Sequence, residues 1–330
     1  MRIALDAMGG DNAPQAEVEG AVLAAREDKD LKVVLVGIQD QIEKELRKYR
    51  PLPEGISVVH ASEVIEMHEP AANSVRKKRD SSIVRGIELI KESQADAFVS
   101  AGNTGAAVCA ATLFLRLLPG IERPGIAIVI PTLKGAALML DVGANIDPKP
   151  NHLLQYAIMA SDYSHYVLGT INPSVGLLNI GEEESKGTEF MKETHKLLSE
   201  RILNFVGNVE GKDIFAGNCD CIICDGFVGN VVLKVSESLV ETVIEFLRRE
   251  IKKNWLAKFG VVFMQTAFAG LKKQIDYAEY GGAPLLGVDG VVIICHGRSN
   301  AKAIKNALKA AKKEVELDVN KQIIEKVKAI

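Results

Sequence analysis

Short apolar runs rich in β-branched residues recur along the chain: Ile3–Leu5, Val33–Val36, Ala97–Val99, Ile126–Ile130, Ala137–Val142, Val175–Ile180, Ile222–Ile223 and Val291–Ile294. Most are apolar at every position rather than alternating, the pattern of strands buried on both faces of a largely parallel sheet. Helical stretches such as Ile83–Lys91, Asn151–Met159 and Phe190–Arg201 separate several of them. The rhythm predicts βαβ units and an α/β fold, a Rossmann-like sheet flanked by helices. One region breaks it. From Val228 to Ile275 no strand-like run occurs, and Val243, Leu247, Ile251, Trp255 and Phe259 fall at steps of four, a long amphipathic stripe. After Gly260 a second helical stretch carries Met264, Phe268 and Leu271. The expectation is a helical hairpin over 228–275 that projects from the α/β body. No linker or solenoid repeat is visible, so residues 1–330 read as one unit; if there are two lobes, the chain crosses between them more than once.

Composition narrows the classes. The 330 residues are 47% hydrophobic and 25% charged, enough apolar material for a sizeable core and against disorder. Forty Lys and Arg against 43 Asp and Glu give a net charge of -3, without the basic excess of a nucleic-acid binder. No apolar run reaches the roughly 18 residues of a membrane span; Ala106 to Leu118 is interrupted by Arg116. The N-terminal MRIALDAMGG has no apolar signal core, and five cysteines, an odd number, disfavour a disulfide framework. Both point to the cytoplasm.

The chemistry sits in the loops expected after the strands. They are Ser100-Ala101-Gly102-Asn103-Thr104-Gly105-Ala106, Asp141-Val142-Gly143-Ala144-Asn145, Asn179 to Gly187, Cys224 to Asn230 and Cys295-His296-Gly297-Arg298-Ser299-Asn300. In an open parallel sheet ligands bind beyond the carboxyl ends of the strands. Glycines let the backbone approach a ligand, and the following helix N-terminus offers free N–H groups to an anion. Five such loops on one sheet edge predict a polar pocket for phosphate or another small anion. Taken singly, each is a turn with a helix cap. Neither common nucleotide fingerprint fits: Gly9-Gly10-Asp11-Asn12 is too short, Lys186 precedes Gly187 where a P-loop needs the reverse, and three glutamates there repel a triphosphate. Cys219, Cys221 and Cys224 resemble half a metal knuckle, but on a strand their side chains alternate faces; buried strand cysteines are the favoured reading and no metal is expected. His296 at a strand end and Lys186 in a pocket loop are candidate functional residues, while Asp225 suits either a helix cap or the site.

Together, DAMGGD (Asp6–Asp11), SAGNTGA (Ser100–Ala106), DVGAN (Asp141–Asn145), NIGEEESKG (Asn179–Gly187), DGFVGNVVLK (Asp225–Lys234) and YGGAPLLG with HGRS (Tyr280–Ser299) closely resemble the bacterial phosphate acyltransferases of phospholipid synthesis. The match runs from the first strand almost to the last helix. The resemblance implies a fold similar to phosphate acetyltransferases and the isocitrate dehydrogenase group. It also implies conversion of an acyl thioester on acyl carrier protein plus orthophosphate into acyl phosphate, without a cofactor. The product would pass to a membrane-bound glycerol-3-phosphate acyltransferase, and the enzyme would be a homodimer associated peripherally with the membrane surface.

For that chemistry Gly102, Asn103, Thr104, Gly105 and Asn145 are the expected phosphate-binding residues. Lys186, Asn230 and His296 are the expected catalytic ones, with Lys186 neutralising charge and Asn230 and His296 meeting the carbonyl or the departing sulfur. The stripe of Val243, Leu247 and Ile251 is the expected dimer surface. An apolar hairpin tip, Val261, Val262 and Phe263, with Arg248, Arg249, Lys252, Lys253, Lys272 and Lys273 on its shoulders, is the expected membrane contact; the basic shoulders suit acidic acyl carrier protein as well. The rival readings are an acyltransferase using short acyl-coenzyme A, a dehydrogenase of the same fold group and a non-catalytic scaffold at the membrane.

Overall fold

The computed structural model describes residues 1–253, 257, 260, 261, 263–268, 270 and 281–329. Its first block of parallel strands is β1 (Arg2–Asp6), β2 (Lys32–Gly37), β3 (Ile56–His60), β4 (Ala97–Ser100) and β11 (Val291–Ile294). A second comprises β6 (Gly135–Leu140), β7 (Val175–Leu178), β8 (Phe205–Val209) and β9 (Cys221–Ile223). Between them lie β5 (Gly125–Thr132) and β10 (Ala283–Leu286). The eleven strands form one sheet in the order β3-β2-β1-β4-β11-β10-β5-β6-β9-β7-β8. The fully apolar runs occupy its interior, as expected for strands covered on both faces. Strands β3 and β8 sit at the two edges, half exposed, and β10 is four residues long and contains Pro284. None of these three carries the fully apolar signature.

The polarity of the sheet is not uniform. Strand β10 is antiparallel to both β11 and β5, and β5 and β6 form a hairpin in which Thr132 pairs with Gly135. Two residues, Leu133 and Lys134, turn the chain. A two-residue connection joins antiparallel neighbours, whereas parallel strands need a long crossover. The second block therefore runs against the first. This corrects the expectation of five loops on one edge. The loops after Ser100 and Ile294 leave one edge of the sheet, and those after Leu140, Leu178 and Ile223 leave the opposite one.

Helices cover both faces. Helices α3 (Ala71–Lys77), α4 (Ser82–Lys91) and α5 (Thr104–Phe114) share one apolar layer with Val232 and Leu233 near the start of α8 (Gly226–Lys253). On the other face, α1 (Gln15–Glu27), α2 (Gln39–Leu46) and α9 (Ala301–Glu316) cover the first block. There α6 (Pro150–Tyr163), α7 (Glu189–Arg201) and α10 (Val319–Ala329) cover the second.

Helix α8 is apolar on two opposite sides. Leu233, Val240, Ile244, Leu247 and Ile251 share the side that faces the hairpin across a cleft. Val235, Leu239 and Phe246 are about 60% exposed on the other side, at 60%, 61% and 60%. The predicted stripe is thus divided: Leu247 and Ile251 line the cleft, Leu247 still 43% exposed, and Val243 lies outside it, 55% exposed. Of the rest of the predicted hairpin, Trp255, Phe259, Val262, Leu271, Lys272 and Lys273 lie outside the described residues.

Candidate functional site

At the carboxyl edge of the first block three loops interlock. The buried Asp6 carboxylate accepts hydrogen bonds from Ser100 Oγ at 2.7 Å and from the Met8 amide at 3.1 Å. Burial raises its pKa despite these bonds, because desolvation opposes the charged form. The Asp11 amide donates to the Gly297 carbonyl at 2.7 Å, tying the first loop to the last. A Cβ on Gly9 would lie 2.6 Å from the Gly102 amide nitrogen, so the DAMGG and SAGN backbones approach more closely than a side chain allows.

Asn103 caps α5, its Oδ1 accepting from the Ala106 amide at 2.9 Å. Its Nδ2 is within hydrogen-bonding distance of the carbonyls of Glu66, Met67 and Glu69. The side chain of this predicted phosphate ligand is therefore engaged at both ends. Thr104 and Gly105 are exposed in the first turn of α5, where backbone N–H groups are open to an anion.

At the opposite edge Asp141 organises the DVGAN loop. Its Oδ1 accepts from the amides of Ile126, Gly143 and Ala144 at 3.0, 3.0 and 2.9 Å, and its Oδ2 from Asn145 at 2.7 Å. Burial still raises the Asp141 pKa, the amides opposing that shift. Asn145 Nδ2 donates to Pro124 O at 2.5 Å and to the Tyr156 hydroxyl at 2.7 Å, which fixes this predicted phosphate residue in the loop wall.

Helix α8 begins against this loop: a Cβ on Gly229 would lie 1.9 Å from the Asp141 carbonyl oxygen. Asp225 Oδ1 accepts from the amides of Phe227 and Val228 at 3.0 and 2.9 Å, so it is the helix cap. Asn230, exposed on the next turn, sits beside Gly143, with its Oδ1 3.8 Å from where a Gly143 Cβ would be. Lys186 is also exposed on this edge; its Nζ is 3.9 Å from Glu183, and its carbonyl accepts from Asn179 Nδ2 at 3.2 Å.

The length of α8 links the two edges. Lys234 is one helical turn, about 6 Å of rise, beyond Asn230. Its Nζ lies 3.4 Å from His296 Nε2 and 2.9 Å from Glu237 Oε2. The Arg298 amide donates to His296 Nδ1 at 3.1 Å, so a neutral ring carries its proton on Nε2, which faces the Glu237 carboxylate at 3.9 Å, while the Lys234 ammonium donates to that same carboxylate. The structure thus sets His296 beside Lys234 and Asn230 beside the DVGAN loop, while Lys186 and His296 leave opposite edges of the sheet. Lys234 and Glu237 are additions to the site. Lys234 ends the DGFVGNVVLK motif, and the i,i+4 spacing from Asn230 places the two on one helix face, a signal present in the sequence.

The cysteines stand apart from this. Cys219, Cys221 and Cys224 are buried, and desolvation pushes all three thiols up, Cys219 to about 12. Cys224 Sγ donates to the Asp141 carbonyl at 3.3 Å, supporting the loop from below. A thiol raised in this way is a poor nucleophile.

The profile of the family described as "Fatty acid synthesis protein" matches residues 1–322. The chain is 54% identical over 327 residues to a protein of Geotalea uraniireducens named phosphate acyltransferase, covering 99% of this chain and 94% of that one. It is 52% identical, with the same coverage, to the phosphate acyltransferase of Geobacter sulfurreducens. The fold is also that of the EutD phosphotransacetylase from Staphylococcus aureus, with a TM-score of 0.62 at 15% identity over 96% of this chain and 94% of that one. Full-length identity at this level makes the chain a member of the phosphate acyltransferase family.

Proposed function

We propose that the protein transfers an acyl group from a thioester to orthophosphate and so makes acyl phosphate for lipid synthesis. The observation that carries this reading beyond family membership is the path of α8, which sets Asn230 beside one loop cluster and Lys234 beside His296 at the other. The reaction needs an anion site, donors for a carbonyl oxygen and an exit for sulfur, and no protein nucleophile. A phosphate oxygen attacks the thioester carbon, the C–O bond forms, and the C–S bond breaks. The proton of hydrogen phosphate ends on the departing thiolate, so products are acyl phosphate and thiol.

In this assignment Thr104 and Gly105 present amides to phosphate at the α5 N-terminus, while Gly102, whose own amide donates to Ser100 Oγ at 3.0 Å, shapes the loop beneath them. Asn103 and Asn145 hold the loops in place, and Lys186 supplies positive charge from the opposite edge, the one that carries Asn145 and Asn230. Asn230 and His296 face the carbonyl oxygen and the sulfur. An aligned donor at a developing oxyanion contributes about 3 kcal/mol.

The acyl donor in this reading is acyl carrier protein, an acidic partner for exposed Arg248, Arg249, Lys252 and Lys253. The bare stripe of Val235, Leu239 and Phe246 supports a homodimer through α8. Membrane-surface association rests on Phe263, 86% exposed, with Val261 beside it and the basic shoulder of α8. Val262 lies outside the described residues. Among those described, no helix is long and apolar enough to cross a membrane. Surface association in the cytoplasm would hand acyl phosphate directly to a membrane-bound glycerol-3-phosphate acyltransferase.

The test is phosphate-dependent loss of acyl thioester with hydroxylamine trapping of acyl phosphate. Acyl-carrier-protein and coenzyme A donors are compared. Trapped product that requires phosphate supports the reading, and thioester loss independent of phosphate ends it. Lys186→Ala lowers turnover at least about tenfold, equivalent to 1.4 kcal/mol, with an unchanged melting temperature. Unaltered turnover removes Lys186 from the site.

A further inference from the structure

The cleft between α8 and the β5–β6 hairpin has a volume of about 840 Å³, within the range of small-molecule sites. Its floor is apolar: Ile128, Ile130 and Met139 come from the hairpin. Val240, Ile244, Leu247 and Ile251 form the wall on α8, and Val261 and Phe268 stand at its far end. Charged residues join the lining chiefly at one end. Lys234, Glu237, Arg298 and His296 gather at one end, where Lys234 and Glu237 pair at 2.9 Å and Arg298 and Glu241 at 3.5 Å. The wall from Lys234 to Ile251 spans seventeen residues of helix, about 25 Å. A long, mainly apolar trough whose charge is densest at one end, with Arg248 and Gln265 farther along its lining, is matched to an amphiphile that has a single long tail.

We propose that this cleft is the acyl-chain site, with the thioester at the His296–Lys234 mouth and the alkyl tail lying along α8 toward Phe268. The assignment rests on the acyltransferase reading above and deepens it by naming where the tail goes. Two features favour an alkyl chain over a second copy of the protein as the occupant. The trough is continuous with the polar cluster assigned to the carbonyl. The other side of α8 separately offers Val235, Leu239 and Phe246 to a partner, so dimerisation does not need the trough. Chain length then becomes a property of the wall. Each buried methylene contributes about 0.8 kcal/mol, roughly fourfold in affinity.

The experiment places tryptophan in the wall, as Ile244→Trp and separately Leu247→Trp, far enough along to leave the mouth open. It reads kcat/KM for butanoyl, octanoyl and palmitoyl thioesters. The proposal expects butanoyl turnover within about twofold of the parent and palmitoyl turnover lowered at least about tenfold, with the loss in KM. A chain-length profile that keeps its shape in both variants overturns it. So does an equal loss for all three donors accompanied by a change in sedimentation, which assigns the trough to a second copy. Binding is read without turnover by the fluorescence of cis-parinarate and its displacement by palmitate. Saturable binding that both variants weaken supports the cleft even if no acyl phosphate forms. Acyl phosphate formation with no parinarate binding, and no length dependence, leaves the reaction standing and removes the cleft.

Discussion

Helices α8 and α9 both follow a short loop at a strand end, both are capped by a side chain, and both are amphipathic, yet their surroundings differ sharply. Helix α9 buries Ala303, Ile304, Ala307, Leu308 and Ala311 in a continuous stripe. It approaches α1 so closely that a Cβ on Gly20 would lie 2.6 Å from Ile304 Cβ. Helix α8 buries only Gly226 and Gly229 and leaves large apolar side chains exposed along most of its length. The same local pattern therefore serves two ends. In α9 it is consumed by packing within the fold, whereas in α8 it stays largely unburied on two sides.

The largest expected effect that would break this contrast lies in the cores of the two helices. Leu308→Ala removes a fully buried side chain and costs about 3 kcal/mol in denaturant unfolding. Leu239→Ala on α8 costs less than about 0.5 kcal/mol at low protein concentration and weakens self-association in sedimentation. A large loss for Leu239→Ala that does not depend on concentration would show that α8 is packed within one chain after all.

A pH effect sharpens the same comparison. Glu314 is buried on the inner side of α9, and Glu17 on α1 has no hydrogen-bond partner for either carboxylate oxygen among the described residues. Desolvation raises both pKa values from 4.5 to about 8, with Asp6 adding to the shift at Glu17. Between those values the folded state keeps protons that the unfolded chain releases. Their stabilising contribution is thus complete below pH 4.5 and is lost as pH rises through about 8. Melting temperature falls over that interval, and Glu17→Gln with Glu314→Gln flattens the slope. A slope unchanged in the double variant assigns the pH dependence to other groups.

The smallest effect concerns the caps. Asn300 accepts from the Ala303 amide at 3.0 Å, and Asp225 holds the start of α8. Replacement of either by Ala costs about 1 kcal/mol. Only Asp225→Ala should also lower turnover, because it loosens the turn that carries Asn230. Equal activity in the two variants would uncouple the α8 cap from the site.

What was readable in the sequence follows the same physics. Strands buried on both faces announce themselves as apolar runs, and all eight such runs are strands. Ile56–His60 and Phe205–Val209 escaped because an edge strand is apolar on fewer positions. Ala283–Leu286 escaped because it is short and holds a proline. The loops of the site were readable from Gly, Asn and Asp, since those residues are needed for close approach and capping. Which loops share an edge was not, because that depends on a two-residue turn at Leu133–Lys134 and on strand order, which no single loop encodes. The polar cluster at His296 is only half readable: its partner Lys234 is marked in the sequence by nothing more than its i,i+4 spacing from Asn230.

The brief central strand has a mechanical consequence. Strand β10 makes two paired positions with each neighbour, whereas β1 and β2 share five and β5 and β6 share six. Resistance to shear and twist across a sheet grows with the number of pairs along a seam, so compliance concentrates at β10. A torque applied to one block is transmitted to the other through this joint and through the helices that straddle it. The cleft beside α8 has its floor on β5 and β6 and its mouth between α8 and the His296 loop of the first block, so it would widen and narrow as the joint twists.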